Sequence, residues 1–186
     1  MKVYGVCGKN GSGKTTVCNL LKEKGYLVIS LSQFIKENLQ MCKKPATREN
    51  MIEEGNRLRK TYTSDYLARL AHQLIQCKNC VAGIVIDSIR NDKEIEYLKK
   101  NLNLKLIYID TEITSRYHRI LERNLQCELP KDVLKNIQQF KKDEMIEFQS
   151  SHDYSQQLVK VFDMKDYTII NNESLDELSE IVNLLV

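Results

Sequence analysis

The sequence predicts an α/β fold, a three-layer α/β/α sandwich whose middle layer is a five-stranded parallel sheet. Five short runs, "KVYGVCG", "YLVIS", "VAGIVID", "LKLIYID" and "YTIIN", are apolar without alternation, the mark of strands buried on both faces. Helix-patterned stretches separate them, as crossover connections between parallel strands require. The first run also passes directly into a glycine-rich loop and then a helix, a strand–loop–helix unit typical of this class.

Each element carries its own signal. After the first strand and its loop, "KTTVCNLLKEKG" places Val17, Leu20 and Leu21 at helical spacing and stops at Gly25, a C-terminal cap. "YLVIS" is the second strand. "SQFIKENLQMC", "RENMIEEGNRLRKTY" and "SDYLARLAHQLIQC" read as three helices, the second entered through "KPAT" and the third capped by Ser64. "VAGIVID" then forms a strand, "NDKEIEYLKKNL" a helix, "LKLIYID" a strand and "TSRYHRILERN" a helix. "PKDVLKNIQQFKKDEMIEF" is one long helical stretch or a pair. The chain closes with a short helix in "SQQLVKVFDM", the strand "YTIIN" and the helix "SLDELSEIVNLLV".

Composition narrows the class. A chain of 186 residues suits one domain with a full core, here taken as 1–186. With 28 basic and 25 acidic side chains, a net charge of +3 and no dense block of either sign, no nucleic-acid polymer or anionic membrane is implied as partner. No apolar run reaches bilayer length and the start shows no signal segment, so a cytoplasmic protein is expected. Six cysteines would suggest disulfides only in a secreted chain. Cys77 and Cys80 form a lone C-x-x-C without two further zinc ligands at comparable spacing, so reduced thiols at a helix end are the expectation and metal or redox use the alternative.

"GKNGSGKT", Gly8 to Thr15, satisfies G-x-x-x-x-G-K-[ST]. Gly8, Gly11 and Gly13 let the backbone wrap its N–H groups, those of Asn10 and Ser12 included, around an anion without a Cβ in the way. The helix beginning with Lys14, Thr15 and Thr16 presents its positive end to the same phosphates. Lys14 adds a point charge between the β and γ groups, and the Thr15 hydroxyl suits one position of an octahedral magnesium shell. Nucleoside triphosphate binding is the expectation, with ATP and Mg as the cofactors. The alternative is a plain flexible glycine turn.

Asp87 ends the third strand, where ligands of open parallel sheets gather, and is expected to hold magnesium or orient the acceptor. Its alternative role is capping the helix from Asn91. Arg90, three residues on, offers a planar fork suited to phosphate. Arg116, Arg119 and Arg123 fall within about 60° on one helical face. Either they surround a phosphoryl group in transfer or they form a solvated basic face. The long polar stretch beyond them suits a flap that excludes water.

Together "GKNGSGKTT", "PATRENMIEEGNRLR", "VIDSIRNDKEIEYL", "FKKDE" and "DYTIINNESLDEL" resemble the P-loop nucleotide kinases. That group includes deoxynucleoside monophosphate kinase-like proteins, dephospho-coenzyme A kinase and relatives of adenylate kinase. The nearest likeness is to the kinase-like segment of some deoxycytidylate deaminases and to short stand-alone archaeal relatives. The resemblance implies a nucleoside monophosphate kinase-like P-loop NTPase fold with a helical lid. Residues of about 31–80 would form a helical acceptor-binding region and about 116–150 the lid. Lys14 and Thr15 take the phosphate-loop roles, Asp87 the strand-end acid, Arg90 a phosphate contact and Arg123 a lid arginine, and Arg119, on the same helical face by its spacing, is expected to be catalytic with it. Arg116 and Asn171 would fall on the ATP side and Arg48 and Arg59 on the acceptor side, surface charge being the alternative for the last two. Deamination is excluded, because the required H-x-E and P-C-x-x-C are absent.

Two departures from the resemblance matter. After the second strand, where an aspartate and an arginine are common, "SQFIKENL" offers Gln33 and Lys36. Asn171 and Asn172 stand where such kinases hold adenine, with helix capping near Ser174 as their other reading. The expected activity is Mg-dependent transfer of the ATP γ-phosphoryl group to a small phosphorylated acceptor, a nucleoside or deoxynucleoside monophosphate. The alternatives are transfer to a ribose hydroxyl, as in dephospho-coenzyme A kinase, and a nucleotide-sensing module without turnover.

Overall fold

A computed structural model describes residues 1–77, 82–126, 136–148 and 154–185. Its elements are β1 (Lys2–Gly8), α1 (Lys14–Glu23), β2 (Tyr26–Ser30), α2 (Leu31–Met41), α3 (Arg48–Thr61), α4 (Tyr66–Gln76), β3 (Gly83–Asp87), α5 (Asp92–Leu102), β4 (Lys105–Asp110), α6 (Ile113–Gln126), α7 (Ile137–Phe148), α8 (Leu158–Asp163), β5 (Tyr167–Ile170) and α9 (Leu175–Leu185). The five strands form one parallel sheet in the order β2-β3-β1-β4-β5. This is the α/β sandwich around a five-stranded parallel sheet that the sequence predicts.

Two apolar clusters lie on opposite faces of the sheet, and the period-2 alternation of the strands assigns residues to them. Val3, Cys7, Ile84, Ile86, Leu106 and Tyr108 pack under α2 to α5 and α8. Tyr4, Val6, Val85, Ile107, Ile109 and Ile169 pack against α1 and α9. Each fully buried Leu, Ile or Val contributes about 1.5–3 kcal/mol relative to exposure. Continuous strand apolarity was therefore a true signal, because both faces are covered.

Gly5 in β1 leaves space that Ile89, Leu104 and Leu106 fill; an added Cβ would meet their methyl groups at 2.8–2.9 Å. This close approach draws the β3–α5 connection down onto β1.

Two termini differ from expectation. α4 is entered from Asp65 rather than Ser64, and the Asp65 carboxylate accepts from Arg69 and Thr63 instead of capping the helix. The helix expected in 155–164 is limited to α8, because 155–157 is tied to the β3–α5 loop: the Gln157 N–H donates to the Arg90 carbonyl at 2.8 Å. Gly25, at φ +84°, ends α1 as expected, donating to the Lys22 carbonyl at 2.9 Å. Cys80, Cys127 and residues 127–135 of the expected lid lie outside the described residues. No helix of the described residues is long and apolar enough to cross a membrane.

Candidate active site

The loop between β1 and α1 has the backbone its glycines allow. Gly8, Gly11 and Gly13 have φ of +144°, +78° and +93°, the region where a Cβ is strained. Gly13 stands at the N-terminus of α1 with no side-chain cap, so the first amides of the helix face the loop's concavity.

Its shape is braced from three sides. The Ser12 carbonyl accepts from Thr111 Oγ1 at 3.0 Å and Asn171 Nδ2 at 2.8 Å. Arg116 donates through Nη1 to the Asn10 carbonyl at 3.3 Å and through Nε to the Thr111 carbonyl at 2.9 Å. Its guanidinium also forms a two-pronged pair with Glu144 of α7, which lies 3.5 Å from Lys9 Nζ. Burial pushes the Glu144 carboxyl up, but Arg116 and Lys9 outweigh this and hold it below its ordinary range.

Lys14 curls onto its own loop, donating to the carbonyls of Gly8 at 3.0 Å and Lys9 at 2.7 Å. Burial first, and the Arg90 charge second, lower its ammonium pKa to about 8. The Thr15 side chain is exposed at the helix start and Thr16 partly so.

Asp87 ends β3 in register with Val6 of β1 and Ser30 of β2, at the same carboxyl edge of the sheet as the loop. Its Oδ2 accepts from Ser88 Oγ at 3.0 Å and from Ser30 Oγ at 3.5 Å; Ser30 and Ser32 hydroxyls are 2.9 Å apart. Its Oδ1 is buried with no hydrogen-bond partner among the described residues. It does not cap α5, whose N-cap is Asn91. An exposed Thr15 hydroxyl and an unpaired, buried carboxylate oxygen are hard oxygen donors of the kind magnesium takes, so these two residues fit such an ion. Among the described residues no group of three or more His, Cys, Asp or Glu is assembled as a metal site.

Beside Asp87 opens a cleft lined by Arg48 and Arg59 of α3, Ser32 of α2, Ser88 and Arg90 of the β3–α5 loop, and Gln156. Ile35, Met51 and Ile52 supply its apolar wall. Arg48 and Arg59, expected on the acceptor side, and Arg90, expected to contact phosphate, thus converge from two distant stretches of chain. Arg48 is exposed on the first turn of α3, whereas Arg59 is buried and ion-paired to Glu94 at 2.8 Å, so it is not surface charge. The Arg90 Nη1 reaches Gln156 Oε1 at 3.2 Å.

The other basic residues separate. Arg116 is buried and committed to Glu144 and two carbonyls, which corrects the picture of three arginines on one unpaired face. Arg119 reaches the loop's edge beside Gly13: its Nη2 donates to the Asn171 carbonyl at 3.1 Å and its buried Nη1 has no partner among the described residues. Arg123 is exposed farther along α6.

The Asn171 side chain donates through Nδ2 to the Ser12 carbonyl, and the Asn172 Oδ1 accepts the Glu112 N–H at 2.9 Å. Neither caps α9. Ser174 does so with Glu177 in reciprocal bonds of 3.3 and 3.1 Å. Gln33 and Lys36 are exposed, and Gln33 pairs with Glu37.

Sequence reasoning passed over Ser32, Ser88, Glu94, Thr111 and Gln156. Glu94 carried a local signal, standing three residues after Asn91 as a capping box requires; Ser88, directly after Asp87, adopts a left-handed φ of +65°.

A phosphate-loop at the carboxyl edge of a parallel sheet, facing a strand-end carboxylate and an arginine-lined cleft, defines a P-loop protein of kinase-like fold. The chain belongs to the AAA domain family, whose model matches residues 5–145, and to the UPF0200 proteins. The UPF0200 protein of Staphylothermus marinus is 30% identical over 172 residues, covering 92% of this chain and 84% of that one. That of Sulfurisphaera tokodaii is 28% identical over 177 residues, covering 95% and 91%. Among solved structures, shikimate kinase from Bacteroides thetaiotaomicron has a TM-score of 0.66 at 13% identity, covering 99% of this chain and 97% of that one. TT1252 from Thermus thermophilus has a TM-score of 0.60 at 16% identity, covering 99% and 95%. These likenesses establish the fold.

Proposed function

We propose that this protein is an ATP-dependent, magnesium-assisted kinase that transfers the γ-phosphoryl group to a small phosphorylated acceptor, a nucleoside or deoxynucleoside monophosphate. The observation that carries the reading is the cleft of Arg48, Arg59 and Arg90 beside the loop-facing Asp87. Three guanidinium groups around a pocket with an apolar wall match an organic phosphate better than a neutral metabolite.

In this reading residues 1–186 act as one domain, with 31–80 on the acceptor side and 116–150 as lid. The loop amides and α1 bind the triphosphate tail of ATP. Lys14 leaves the carbonyls of Gly8 and Lys9 for the β and γ phosphates. Magnesium held by Thr15 and Asp87 would neutralise charge on the phosphate oxygens. The Arg90 and Arg48 forks hold the acceptor so that its phosphate oxygen lies in line with the γ phosphorus. A new O–P bond forms there as the bond to the bridging β–γ oxygen breaks, and ADP departs with that electron pair. Arg119, whose Nη1 lies by Gly13 with no partner among the described residues, stabilises the charge spread during transfer, with Arg123 entering from farther along the lid.

A second reading rests on the unpaired Asp87 Oδ1, which could accept the proton of a ribose hydroxyl. ADP release measured against a panel of nucleoside monophosphates and dephospho-coenzyme A, with phosphorus NMR of the product telling a phosphoanhydride from a ribose phosphomonoester, separates the two. Turnover with a monophosphate, and a fall in acceptor kcat/KM of about 10²-fold or more in Arg90→Ala with ATP binding intact, is expected. ATP binding with no acceptor-stimulated turnover across the panel would remove the kinase assignment.

A further inference from the structure

Glu94 lies on the first turn of α5 and is fully buried, yet it belongs to neither the phosphate loop nor the lining of the cleft. Its Oε1 accepts from Arg59 Nε and Nη2, both at 2.8 Å. Its Oε2 accepts from the backbone N–H of Arg90 and of Asn91, both at 3.1 Å. One carboxylate therefore holds the side chain of one cleft arginine and the backbone of another, although they lie on elements far apart in the chain. Asn91 extends the assembly, accepting the Lys93 N–H at 2.9 Å and donating through Nδ2 to the Ser155 carbonyl at 2.8 Å. Residues 155–157 are thereby brought alongside, and Gln156 receives the Arg90 guanidinium.

A helix needs only its N-terminal amides satisfied, and Asn91 with one Glu94 oxygen does that. The second oxygen, turned to Arg59, has no capping role. Burying a carboxylate and a guanidinium together brings no assured stability, because desolvation opposes their attraction, so stability does not explain the arrangement. What it does accomplish is orientation. With two of its three nitrogens engaged by Glu94, the Arg59 fork has one rotamer and one direction toward the cleft. The Arg90 backbone is held at the same time, setting where its side chain departs.

We propose that Glu94 is a positioning residue that aligns Arg59 and Arg90 for a phosphate-bearing acceptor, an inference that rests on the cleft being the acceptor site. A glutamine cannot replace it. Whichever way its amide turns, an NH₂ group faces either the Arg59 guanidinium or the two backbone N–H donors. An aspartate keeps the charge but, one methylene shorter, does not span both sets of donors.

The test titrates inorganic phosphate into the protein with the loop filled by saturating AMPPNP, monitoring the Arg59 Nε–H and Arg90 amide by NMR. In the wild type both signals shift together with phosphate. Glu94→Gln and Glu94→Asp raise the phosphate Kd at least about tenfold while the AMPPNP Kd stays within about twofold, which also reports an intact fold. A variant that binds AMPPNP normally and phosphate with the wild-type Kd overturns the positioning role and leaves the cleft reading standing. A wild-type protein whose two signals ignore phosphate overturns the cleft reading and this role with it. Rapid solvent exchange at the wild-type Arg59 Nε–H also overturns the role and needs no variant.

Discussion

Lys14 has an ammonium that burial and Arg90 bring down to about 8 in the ligand-free protein, from an ordinary value near 10.5. Between these values the unfolded chain carries more protons than the folded one, so this group adds stability as pH rises through the window and opposes folding below it. A bound triphosphate reverses the balance by favouring the charged amine. ATP binding near pH 8.5 should therefore take up a proton, and affinity should fall as pH climbs above about 8. Calorimetry in two buffers of different ionisation enthalpy measures the uptake, and Lys14→Met should abolish it. The same substitution should cut turnover by orders of magnitude with circular dichroism unchanged. Asp87 was legible at this scale because a carboxylate ending an apolar run is a local pattern. The Ser30, Ser32 and Ser88 hydroxyls around it were not, being brought together by register between β2 and β3.

Between elements, the decisive contacts tie the phosphate loop to the segments just beyond β4 and β5. Thr111 and Asn171 grip the Ser12 carbonyl, and Arg116 links the loop and α6 to α7 through Glu144. Arg116→Ala removes the charge-assisted bonds to Glu144 and leaves two carbonyls without their donor, while Lys9 stays beside the partly buried carboxylate, so it should cost about 1.5–3 kcal/mol in urea unfolding. Because Glu144 titrates below its ordinary value, the pair's contribution is present above the usual carboxylate range and lost as pH falls through the depressed pKa. The stability gap between wild type and Arg116→Ala should accordingly narrow in acid. Helical spacing had placed Arg116 with Arg119 and Arg123, because periodicity reports which face a residue occupies. It does not report that Glu144, 28 residues away, waits opposite that face.

At the scale of the molecule, the nucleotide loop, the Asp87 edge and the arginine cleft share one end of a sheet whose two faces are separately buried. Occupying the loop should stabilise the whole cooperative unit. A nucleotide at a hundred times its Kd should raise unfolding free energy by about 2.7 kcal/mol, read as a thermal shift, and Lys14→Met should lose most of it. The chain's local patterns were enough to establish five parallel strands, the helices between them and a loop built for phosphate. Apolar runs and glycine spacing act over a few residues, where backbone sterics and burial leave little choice. Which arginines face the cleft, which one is consumed in bracing the loop, and that Glu94 joins two of them were settled by folding. Charges choose partners by proximity in space, and Arg59 meets Glu94 across 35 positions that no periodicity connects.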